Sequence, residues 1–194
     1  MSNIAIKGAA TGSGTFTLEA PATSTNRTLV LPDEAGTLAT TAFVTNRLVQ
    51  NLNVTTGAAA SGTATIPKDD TIPQITEGTQ FMSLAVTPTS ATNILEISVN
   101  VQHSNSNGGN ITTALFRDAV SDAIAATFVT ASAANFSATD SFSRTMVAGT
   151  TSEIIFRVRI GGQSAGTTTF NGQSGSRMLG GVMASSITIK EYAA

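Results

Sequence analysis

The 194-residue sequence predicts a mainly-β protein. An antiparallel β-sandwich spans residues 64–194, preceded by a short helical neck and a strand-poor N-terminal segment. Three observations predict this arrangement. Residues from about 80 onward alternate apolar and polar in short runs, the period of half-buried strands. Clusters of Asn, Ser and Gly separate the runs. One stretch ahead of them carries its apolar residues at helical spacing instead. No rhythm of strand and long helix is visible, which argues against a parallel α/β sheet.

Residues 1–37 hold two strand-like pieces, Thr15–Leu18 and Arg27–Leu31, broken by Gly, Ala and Pro. Pieces this short are marginal without outside support, so Phe16, Leu18, Leu29 and Leu31 are expected to anchor the chain on something else. Residues 38–54 follow as the neck. Thr40 or Thr41 can cap a helix on which Thr41, Val44, Thr45, Leu48, Val49 and Leu52 share one face. A helix this short is not stable alone. It either docks on its own domain or joins identical copies in a parallel bundle. In the preferred bundle, Val44, Leu48 and Leu52 form the seam. Residues 55–63, "TTGAAASGT", show no apolar period and read as a linker. In the sandwich, Leu95, Ile97, Val99 and Val101 alternate with polar residues, as do Ile154, Phe156, Val158 and Ile160. Further strands are expected at Gln80–Thr87, Asn110–Arg117, Ile124–Thr130, Ser141–Val147, Thr167–Phe170 and Met183–Glu191.

Composition narrows the function classes. Charged residues make up 11% of the chain, against about 25% in an ordinary domain. A surface of hydroxyls and amides is cheap to desolvate and favours large protein–protein contacts. The net charge is −2, and without a basic cluster no nucleic-acid partner is expected. There is no cysteine, hence no disulfide and no thiolate metal site. No run of about 18 apolar residues predicts membrane insertion. The first ten residues lack a secretory pattern, so synthesis and folding in a cytoplasm are expected.

The search for chemistry yields little. Gly162–Gly166, "GQSAG", matches a nucleophile-elbow pattern, but it lies between strand patterns and the only histidine, His103, precedes it. His103 reads as a surface-loop residue. Asp69 and Asp70 are adjacent carboxylates that point apart in an extended segment, so they make no acid/base pair. No catalytic residue, metal ligand or cofactor is assigned, and an enzyme is not expected.

A resemblance adds a function. "GSGTFTLEAPATSTNRTLVLPDEAGTLAT", residues 12–40, resembles a repeat-like segment of many bacteriophage fibre proteins. "LATTAFVTNRL", residues 38–48, is similar to the helix that begins trimeric shafts in such proteins, with Phe43 and Thr45 where Tyr and Asp are common. Residues 68–97 and 170–192 resemble the start and end of a phage terminal knob, which is similar to the tumour-necrosis-factor-like jelly rolls that assemble as trimers. The resemblance implies a homotrimeric virion fibre assembled in the host cytoplasm. Its N-terminus would dock on other virion proteins and its knob would face a host receptor, as in a tail fibre. The alternative is a head fibre or capsid decoration protein with weak or no adhesion. The absence of Trp and the single Tyr leave few aromatic faces for sugars. In the adhesin reading, contact comes from three loops, His103–Asn110, Ala131–Asp140 and Asn171–Arg177. Candidate receptor residues are His103, Asn107, Phe136, Asn171 and Arg177.

Overall fold

A computed structural model describes residues 47–194. Strands β1 (Leu48–Thr56), β2 (Ala60–Gly62), β4 (Ile94–Asn105), β7 (Ala138–Val147), β9 (Thr168–Phe170) and β12 (Ser185–Tyr192) make one antiparallel sheet. Strand β4 is its spine. One edge pairs with β7; the other pairs with β12 along residues 94–100 and with β9 at 103–105. Strands β3 (Thr79–Val86), β5 (Gly109–Arg117), β6 (Ala125–Ala131) and β8 (Ile154–Gly162) form the second sheet, in the order β3-β8-β5-β6. A two-residue hairpin of β10 (Gly172–Gln173) and β11 (Ser176–Arg177) stands apart.

The two sheets face each other across one core. Leu95, Ile97, Val99, Val101, Ile187 and Ile189 of the first sheet meet Met82, Ile111, Leu115, Phe156, Val158 and Ile160 of the second. Burial alternates strictly along most of β4, as the period-two pattern requires. All eight strands expected in the sandwich are present, with shifted ends.

Strand β5 departs from alternation, because Asn110–Phe116 is buried throughout. The segment 64–78 straps over the outer face of its sheet. Ile66, Ala114 and Phe116 form a second core there, with Ile75 and Ala123 packed against it. The strap is tied by Ile66 N–H to the Gly162 carbonyl (3.1 Å) and by Ala123 N–H to the Pro73 carbonyl (2.9 Å). Arg159 Nε and Nη2 donate to the carbonyls of Glu77 (2.7 Å) and Gly78 (2.8 Å). A side chain at Gly161 would put its Cβ 2.8 Å from the Ala64 carbonyl oxygen. Glycine there allows the strap to lie flat on β8.

The expected neck is corrected. Residues 38–46, with Val44, lie outside the described residues, as do Phe16, Leu18, Leu29 and Leu31 of the N-terminal segment. From Leu48 the chain is strand, paired with β12 as far as Thr56. Leu48 and Leu52 stand four apart, as on a helix face, but a register shift between Leu48 and Gln50 leaves Leu48 exposed while Leu52 packs on the core. Gln50 between them hid the strand period. It belongs to the inner side because its amide reaches the buried Glu191. Leu52 and Val54 pack on the core and are unavailable to a helical seam.

The expected linker is corrected too. Thr55 and Thr56 end β1, and Ala60–Gly62 pairs with β9. Its small residues serve close packing, since a Cβ on Gly62 would fall 2.1 Å from Thr79 Oγ1.

Candidate functional site: the apical loop cluster

The strand directions sort the loops to two ends. Leu48 is paired with Tyr192, and Ala193 N–H bonds the Arg47 carbonyl (2.9 Å). The chain therefore enters and leaves at one end of the sandwich. At the other lie the turn 106–108, the loop 132–137, the loop 163–167 and the β10–β11 hairpin. We call this end the apex.

The apex is a cross-bonded cluster. Ser106 N–H bonds the Thr167 carbonyl (2.9 Å) and Asn135 N–H bonds the Asn105 carbonyl (2.7 Å). Thr167 N–H returns a bond to Ser106 Oγ (2.9 Å). Gly175 N–H bonds Thr169 Oγ1 (2.9 Å), and Gln173 Nε2 donates to the Asn135 carbonyl. Asn135, Ser174 and Gly175 all have positive φ, conformations that Asn and Gly tolerate best. These bonds fix four connections around a hollow of about 300 Å3 lined by Ser106, Asn135, Thr167, Thr169, Ser174 and Gly175.

Beneath the loops, three polar side chains close the core. His103 Nε2 lies 2.9 Å from Asp140 Oδ2, which also accepts from Thr113 Oγ1. His103 is fully buried and Asp140 nearly so. Among the described residues, His103 Nδ1 is buried without a partner, a cost of about 1–3 kcal/mol.

The candidate receptor residues divide sharply. His103 is the end of a core strand, not a surface-loop residue, and cannot reach a receptor. Asn171 is also fully buried. Its amide donates to the carbonyls of Thr56 (2.7 Å) and Ala58 (3.1 Å) and accepts from Ser185 Oγ (2.6 Å). Both are pins beneath the apex; their polar character and Gly/Asn neighbourhood made them look like loop residues. Phe170, at the end of an expected strand, is buried in β9 and stacks on Phe81 with ring centroids 5.2 Å apart. Asn107 and Arg177 are exposed, and Phe136 retains 47% of its surface. Asn107 Nδ2 bonds the Ala165 carbonyl. Ser164 is exposed in a loop that leads into β9 rather than a helix.

Ser106 and Ser174 fall within the expected contact loops without being singled out, and Thr167 falls in an expected strand. In a chain rich in Ser and Thr, nothing distinguishes a hydroxyl lining a hollow from one on an open surface.

A second hollow of about 320 Å3 lies between Asp69–Pro73 of the strap and Ala123–Ala126. Asp69 Oδ1 accepts from Thr71 Oγ1 and from Thr71 N–H (2.9 Å). These bonds hold its carboxyl below the usual range, the hydroxyl contributing most. Lys68 Nζ sits 4.8 Å from the Phe128 ring centroid.

The model of the Pgp3 C-terminal domain family matches residues 48–194. Among curated proteins none matches the chain. A solved Bacillus endospore appendage, described as a novel family of disulfide-linked pili, is 12% identical with a TM-score of 0.32, over 82% of this chain and 100% of that one. An infectious bursal disease virus Gt strain structure is 10% identical with a TM-score of 0.36, over 87% of this chain and 42% of that one. The VP2 subviral particle of the same virus is 12% identical with a TM-score of 0.33, over 77% and 38%. With TM-scores this low, the three structures carry no argument about function.

Proposed function

Because the chain belongs to the Pgp3 C-terminal domain family, we propose that residues 48–194 are a trimeric, adhesin-like structural knob presented on a fibre. The knob does no chemistry. Its apex contacts a host surface while the end that carries Arg47 faces the body it is mounted on. The observation that carries this reading is the placement of all four apical connections opposite Arg47.

The strand order supports the jelly-roll, tumour-necrosis-factor-like part of the reading. Strands β1, β12, β4 and β7 form one sheet and β3, β8, β5 and β6 the other, with most connections crossing between sheets. The outer face of the first sheet supports self-association. Ser98, Asn100, Ser141, Ser143, Ser186 and Thr188 share it in register, and such neutral groups are cheap to bury. Leu48, Tyr192, Ile94 and Val147 line up across the four strands at the Arg47 end. Leu48 and Val147 keep about half their surface, an apolar row that a trimer covers.

The virion assignment, with assembly in the host cytoplasm, draws its support from the resemblance of residues 12–48 to phage fibre segments. In that reading residues 1–37 anchor the trimer to the particle, as a tail fibre with adhesion or as a head fibre with little. Mass photometry of the full chain and adsorption of labelled protein to bacterial cells test the proposal together. A monomer at micromolar concentration refutes the trimer. Particles that adsorb and infect normally after the loops 132–137 and 173–177 are replaced by Gly/Ser refute the adhesin.

A further inference from the structure

The apical hollow is built from groups of one chemical kind. No lining residue carries a charge or a large apolar side chain, so an anion finds no counter-charge in it and an acyl chain no apolar wall. The bonds that hold the loops use backbone groups, Ser106 Oγ, Thr169 Oγ1 and Gln173 Nε2. They leave the Asn135 side-chain amide, Thr167 Oγ1 and Ser174 Oγ unbonded to other described residues. Hydroxyls donate and accept at one atom, and an amide offers both functions side by side. The complementary ligand carries closely spaced neutral donors and acceptors on a compact frame.

We propose that this hollow binds a single neutral sugar ring at the end of a surface glycan. The volume, about 300 Å3, lies at the lower limit for ligand sites and admits one ring rather than an oligosaccharide. Phe136, next to Asn135 in the chain, is half exposed but does not line the hollow, so the contacts expected inside it are hydrogen bonds. The cross-bonded loops present these groups with little ordering cost. With no charge-assisted bond available, one site binds weakly, and useful adhesion comes from many copies acting together. The inference rests on the apex being the contact surface, and it names the class of ligand met there.

Saturation-transfer NMR on the full-length protein tests it with free D-glucose, D-galactose, N-acetyl-D-glucosamine and N-acetylneuraminic acid. At least one neutral sugar is expected to give ring-proton signals, while the anionic sugar gives little. Thr167→Val, close in shape, and Asn135→Gly, which accepts the positive φ there, should each cut the signal about fivefold or more with the fold retained. Three results overturn the proposal: silence from every neutral sugar at tens of millimolar, an equal response to the anionic sugar, or signals that survive both substitutions. Cell adsorption is measured in parallel. Adsorption with silent NMR overturns the sugar site and leaves the adhesin standing. Sugar binding without adsorption supports the site and overturns the adhesin.

Discussion

Glu191 offers a sharp test of how the Arg47 end is held. It is a carboxylate in β12 with no exposed surface. Its Oε1 accepts from Thr89 N–H (2.8 Å), Thr89 Oγ1 (2.9 Å) and Asn93 Nδ2 (2.6 Å). Its Oε2 accepts from Gln50 Nε2, which also donates to the Thr87 carbonyl (3.0 Å). One buried charge thus ties β1 and β12 to the loop between β3 and β4. Burial pushes the carboxyl up, yet the donors of Gln50, Asn93 and Thr89 together outweigh it and hold the group below the ordinary value.

Glu191→Gln keeps the shape and removes the charge. The Oε1 bonds survive as weaker neutral ones. The new amide NH2 must face the Gln50 amide, donor against donor. Gln50 can turn its oxygen inward only by losing the bond to Thr87. Weakening three bonds and breaking one should cost about 2–4 kcal/mol at pH 7. The folded carboxyl lies below its unfolded value of about 4.3. Its stabilisation is therefore complete above that value and is lost as the pH falls through the lower, folded value. Urea unfolding of both proteins at matched concentration should show a gap that is widest near neutrality and closes in acid. A gap below about 0.5 kcal/mol at pH 7, or one that acid leaves unchanged, refutes the reasoning.

Ile66→Ala should cost about 2–5 kcal/mol, read by urea unfolding, because its side chain is fully buried against Ala114 and Phe116; a loss under 1 kcal/mol would mean the strap is not part of the core. His103→Ala should destabilise by about 3–5 kcal/mol, since it leaves Asp140 buried with Thr113 alone; a neutral effect on the thermal midpoint would disprove the pairing. Val147→Lys places a cation in the apolar row at the Arg47 end. Mass photometry should show dissociation without unfolding, and an intact trimer would move the interface elsewhere.

The sandwich was readable because its strands are long and half buried. Leu95–Val101 and Ile154–Ile160 each show one wet face and one dry face, and the turns between strands are rich in Asn, Ser and Gly. Where that contrast vanishes, so does the signal. Strand β5 is covered on one face by the opposite sheet and on the other by a segment that has no period of its own. Strand β1 hides its inward Gln50 because the residue that satisfies it, Glu191, lies 141 positions away. His103 and Asn171 mark the same limit at the apex. A polar residue near a glycine-rich turn can be a contact or a pin, and only its distant partners decide. The expected loops run into strands at their ends, with His103–Asn105 in β4 and Ala138–Asp140 in β7, and within them Phe136, Asn107 and Arg177 are exposed.

The bond between Ala193 N–H and the Arg47 carbonyl has a use in protein engineering. The two ends of the described chain meet, so a short peptide could join them and the chain could be reopened within 132–137. Such a circular permutant would keep every strand pairing while moving the entry point to the opposite pole. A passenger fused there would project from the loops rather than from the base, turning the knob into a scaffold that can be mounted either way up.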